Sequence, residues 1–93
     1  MKKFDYGSLY IVPWTLRGYP EVDVEPWESV TIIDGSYVVI LGIEESEKTV
    51  RSFYSDSVHF VTEYIMRLMT LDGMIVHVVS SRSGLDYWKP VQS

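Results

Sequence analysis

Ser55-Asp56-Ser57-Val58-His59-Phe60-Val61-Thr62-Glu63-Tyr64-Ile65-Met66-Arg67-Leu68-Met69-Thr70-Leu71-Asp72-Gly73 is the stretch on which the fold turns. Ser55-Asp56-Ser57 is a helix N-cap cluster, because short polar side chains there can accept from the free N–H groups of a first turn. Val58, Val61, Ile65 and Leu68 then recur at helical spacing, joined by Tyr64 and Met69. His59, Thr62, Glu63, Met66, Arg67 and Thr70 form a mostly polar opposite face, with Glu63 and Arg67 at i, i+4 in the favourable orientation. Gly73 suits the left-handed residue that ends a helix. This spacing predicts a helix over 58–71.

The segments around it predict strands. Ser8 to Trp14 alternates, with Pro13 near a strand end or a sheet edge. Arg17-Gly18-Tyr19-Pro20 has the chemistry of a turn. Glu21-Val22-Asp23-Val24-Glu25 has period two, placing three carboxylates on one face if extended. Asp34-Gly35 between Glu28–Ile33 and Ser36–Ile43 is a two-residue hairpin signal. Lys48 to Tyr54 fits a helical stripe (Val50, Phe53, Tyr54) and also alternation (Thr49, Arg51, Phe53). Its β-branched and aromatic content favours a strand. Met74 to Ser80 predicts a last strand, and Tyr87-Trp88-Lys89-Pro90 an aromatic tail that packs back on the body.

The sum is a single α+β domain over residues 1–93. It has two layers: a mostly antiparallel sheet of about four to five strands, in the order β-β-β-(β)-α-β, with one helix packed on one face. One helix covers one face only. The other face is apolar enough to motivate a homodimer.

Composition agrees in part. The chain has no alanine, the best helix former, while 25 of its 93 residues are valine, isoleucine or threonine. It also lacks asparagine and has one glutamine, Gln92. That shortage suits a thermophilic source, although lysine is scarce and four methionines remain. The absence of cysteine excludes disulfides, zinc–thiolate sites, iron–sulfur clusters and a thiol nucleophile. No secretory signal is evident, and the longest apolar run, Tyr37 to Leu41, is far short of the ~20 residues of a membrane span. The expected compartment is the cytoplasm, that of the host if the chain is virus-encoded.

The net charge of −5 is unevenly placed. Residues 21–47 hold Glu21, Asp23, Glu25, Glu28, Asp34, Glu44, Glu45 and Glu47 and no base. Such a block repels phosphates and attracts basic groups, so direct nucleic-acid binding and anionic membranes are disfavoured. Trp14, Tyr19 and Trp27 flank it, and aromatic anchors beside charge resemble protein–protein hot spots. The candidate binding residues are therefore Trp14, Tyr19, Glu21, Asp23, Glu25, Trp27 and Glu28.

The leading functional expectation is a small non-enzymatic binding protein that covers a basic surface of another protein. Virus-encoded inhibitors of host defence and toxin-neutralising immunity proteins are small acidic domains of this general kind. A homo-oligomeric structural or assembly protein is the alternative. A small enzyme or anion or nucleotide binder using His77, Arg82 and the Ser80-Ser81-Arg82-Ser83-Gly84 loop is a third. That loop lacks the Walker spacing and lysine. His59, Glu63 and Asp56 would converge on a helix face, yet His-Glu-x-x-His is missing and a solvated face accounts for them. No catalytic residue, metal site or cofactor is expected.

Overall fold

The computed structural model describes residues 3–21, 29–51 and 57–91. It corrects the expected α+β architecture. Seven strands form one antiparallel sheet: β1 Leu9–Ile11, β2 Leu16–Pro20, β3 Val30–Ile32, β4 Tyr37–Arg51, β5 Val58–Thr70, β6 Ile75–Ser80 and β7 Lys89–Pro90. One helical turn, α1 Arg82–Leu85, is all the helix among the described residues. The sheet order is β3-β2-β6-β5-β4-β1-β7.

The segment expected to be a helix is β5, the most extensively paired strand. It pairs with β4 from Val38↔Thr70 to Arg51↔Val58, and with β6 from Tyr64↔Ser80 to Met69↔Ile75. Tyr64, Met66 and Leu68 are buried at period two, while Arg67 between them is exposed. Both periodicities coexist in this apolar run. Tertiary pairing decides between them, in line with the β-branched content and against the cap signal. Leu71-Asp72-Gly73 closes a three-residue hairpin rather than a helix. Gly73 N–H donates to Thr70 O at 2.9 Å, Gly73 takes φ +88°, and the Thr70 hydroxyl bonds Asp72.

Asp34-Gly35 does form a turn, with Ser36 N–H donating to Ile33 O at 3.0 Å. The strands it joins do not pair with each other. β3 pairs with β2, and β4 pairs with β1 and β5. A tight hairpin of the I′ type needs positive φ at both central residues, but only Gly35 has it, at +84°. The resulting turn splays its strands to opposite sides of the sheet. Arg17–Pro20, expected as a turn, lies within β2. Its Gly18 is where the backbone passes close to Val76, not a site of positive φ.

Successive strands β1 and β2, and β3 and β4, sit toward opposite ends of the sheet order, yet short connections join them. The sheet must therefore curl, and it forms a half-barrel. Val12 seals the corner, donating to Ser36 O and accepting from Gly35 N–H, both at 2.9 Å. Alternate residues of the strands fill the concave side: Tyr10, Leu16, Ile32, Val38, Ile40, Tyr64, Met66, Leu68, Val76 and Val78. Leu85 at the end of α1 and Trp88 after it, 0% and 1% exposed, complete this core where a longer helix was expected. Trp88 thus packs back on the body as the aromatic tail predicted, and Lys89–Pro90 pairs with β1.

A register shift between Ile40 and Gly42 inserts Leu41 as a bulge in β4. The bulge reverses which side chains face inward, so Ile43 joins the core while Gly42 pairs opposite Arg67 on the outer face. Beyond Glu45↔Tyr64 the two strands leave the sheet. Residues 46–51 and 58–63 pair only with each other among the described residues, a ribbon about 20 Å long.

Candidate protein-binding surface

The outer face of the sheet is built by the side chains that alternate with the core. Tyr19 opposes His77, and His77 opposes Arg67. Glu21, directly after β2, reaches the same place, where its N–H is held by Ile75 O at 3.1 Å. Arg67 donates to it with a fork, Nε to Oε1 at 3.0 Å and Nη2 to Oε2 at 2.9 Å. His77 Nε2 lies 3.3 Å from Oε1. The hydrogen bonds from Arg67 hold the Glu21 carboxyl below its ordinary pKa against a smaller opposing cost of desolvation, with help from its positive charge and from His77. Glu21 reciprocally raises Arg67. Glu21 is therefore an acceptor already in use.

Glu44 is different. It lines the same cleft of about 400 Å³ with Tyr6, Ile65, Arg67 and His77. No ion pair reaches Glu44, Glu45 or Glu47 among the described residues. Glu44 lies on the outer side of the β4–β5 ribbon, and Glu45 and Glu47 on the other side. All three are exposed. Nearby, Lys48 sits 3.8 Å from Glu63 across the ribbon, so its charge is partly answered within the chain. Glu45 and Glu47, on the same face as the exposed Val58 and Phe60, can receive lysine or arginine side chains and offer them apolar contact.

The expected site residues divide. Tyr19 and Glu21 lie on the outer face as described. Trp14 does not join them. It packs edge-on against Tyr87 with ring centroids 5.6 Å apart, beside the α1 turn. Asp23, Glu25, Trp27 and Glu28 lie outside the described residues. The acids Glu44, Glu45 and Glu47 belonged to the acidic block but were not singled out. Their placement depends on β4 continuing past Ile43 into a ribbon.

The third expectation does not gather into one site. His77 faces outward onto Glu21, whereas Arg82 opens α1 beyond the far end of β6, about 10 Å of strand and two further residues away. The serine hydroxyls are engaged locally: Ser81 Oγ accepts from Gly84 N–H at 3.1 Å, and Ser80 Oγ donates to Ser81 O at 2.9 Å. Without the helix, His59 and Glu63 stand about 13 Å apart along a strand instead of converging. Asp56 lies outside the described residues. Glu63 and Arg67 likewise find separate partners, Lys48 and Glu21.

Compared with known protein families, curated proteins and solved structures, the chain matches none. No helix among the described residues is long and apolar enough to cross a membrane.

Proposed function

We propose that the chain is a non-enzymatic protein-binding domain whose acidic surface covers a basic surface of another protein. The observation that carries this reading is the carboxylate row Glu44, Glu45 and Glu47. Glu47 stands on the projecting ribbon and Glu44 and Glu45 at its root, all three exposed, with no base paired to them among the described residues. Burying unmatched like charges at such a spacing is unfavourable, so the row is suited to meeting a cationic partner or to staying in water. The exposed side chains of Val58 and Phe60, on the face of the neighbouring strand shared with Glu45 and Glu47, supply the apolar anchor that charge alone lacks.

Charge exchange tests it. The triple variant Glu44→Lys, Glu45→Lys, Glu47→Lys is used as bait in an extract of the source cell beside the native chain. The partner captured by the native chain is expected to carry a basic patch and to be lost to the variant. Reversing that patch to acidic residues is expected to restore binding to the variant. An identical set of partners for both baits contradicts the reading.

A further inference from the structure

The two long edges of the ribbon are unequal. Along β4 the ribbon residues run Ser46-Glu47-Lys48-Thr49-Val50-Arg51, and charge at an open strand edge discourages further pairing. Along β5 they run Val58-His59-Phe60-Val61-Thr62. This stretch has no lysine, acid, proline or glycine, and β6 stops short of it at Tyr64. Phe60 is 75% exposed, Val58 46% and Val61 44%. A two-stranded ribbon alone is marginally stable in water, and an open, apolar edge of this kind is a template for a third strand.

We propose that the third strand is β5 of a second copy of this chain, paired antiparallel about a two-fold axis at Phe60. The stretch is self-complementary in that register. Val58 meets Thr62 of the second copy, His59 meets Val61, and Phe60 meets Phe60. These are β-branched and aromatic pairs, with no like charges opposed. Antiparallel pairing places the two half-barrels at opposite ends of a four-stranded sheet β4-β5-β5-β4, clear of each other. The charged β4 edges, with Glu47 and Lys48, then lie outermost and stop growth at two copies. This arrangement does not rest on the basic-partner reading, although it leaves Glu44, Glu45 and Glu47 open for one.

Light scattering on the intact chain across a concentration series tests it, because the monomer mass is 10.8 kDa. The mass is expected to double with rising concentration. Phe60→Lys is expected to weaken the association by about tenfold or more. Circular dichroism of that variant should keep the native β signal, which separates lost pairing from lost folding. The chain has no cysteine of its own. Phe60→Cys should therefore form a disulfide-linked dimer under mild oxidation, whereas Val50→Cys on β4 should not. A native chain that stays at 10.8 kDa throughout overturns the proposal. So does a dimer unaffected by Phe60→Lys, or one that Val50→Cys links as readily as Phe60→Cys.

Discussion

Arg67 on β5 grips Glu21 at the end of β2 with two parallel hydrogen bonds of 3.0 and 2.9 Å, across the intervening strand β6. The contact joins residues 46 positions apart and clips the end of β2 to the outer face of the sheet. A planar guanidinium fork matches a carboxylate in a way an ammonium does not. Arg67→Lys should therefore show most of the destabilisation of Arg67→Met even though it keeps the charge. Thermal melts of the two variants should show similar drops from the native chain.

The same pair sets a pH dependence with a definite sign. Arg67 lowers the pKa of Glu21 in the folded protein below the ordinary glutamate value, so the folded state favours the carboxylate. Its contribution is complete above that value and fades as pH falls through the lower folded pKa. Melting temperatures of the native chain and of Glu21→Gln should differ at neutral pH and converge in acid. A gap that widens as pH falls would contradict the assignment.

Trp88 closes the concave side in place of the expected helix. It is 1% exposed and packs in the core with Leu85. Trp88→Ala should cost about 3–5 kcal/mol, a large part of the ~5–15 kcal/mol that holds a small domain folded. Urea unfolding followed by far-ultraviolet circular dichroism should find the midpoint sharply lowered or the chain unfolded without urea.

Gly18 allows β2 to lie close to β6. A Cβ there would stand 2.9 Å from Val76 Cγ2, 3.0 Å from Val76 Cβ and 3.3 Å from Ile32 Cδ1. Val76 is fully buried and has little room to withdraw. Gly18→Ala should destabilise by about 1–3 kcal/mol through overpacking. Val76→Ala in the same chain removes the closest contact, so the double variant should lose less than the sum of the two single losses.

The sequence shows β1 through a short alternating run, β6 through a run of β-branched residues, and the packed tail through the large apolar ring of Trp88. It misleads at 58–70 for a physical reason. Val58–Thr62 belongs to a ribbon with no buried face, so its exposed Val58 and Val61 fall on a helical stripe by chance and no period-two contrast opposes them. The Asp34-Gly35 turn is legible, but not the partners of its strands, which are set by the curl of the whole sheet. Of the proposed binding residues, Glu21 is visible as part of an acid run. Its fork with Arg67 depends on a strand-to-strand register that local spacing does not contain. Glu45 and Glu47 gain their common face, and Glu44 its place on the opposite one, only once β4 is known to continue through them.

The ribbon of β4 and β5 supports both the acidic surface and the pairing edge, so its existence is the claim to test first. Nuclear magnetic resonance of the chain in solution measures it directly through backbone carbon shifts and nuclear Overhauser effects. The account predicts strand-type shifts over 58–70, with cross-strand effects linking Lys48, Thr49 and Val50 to Val61, Phe60 and His59. Helix-type shifts over the same residues, with effects between residues three apart and none across to β4, would contradict it.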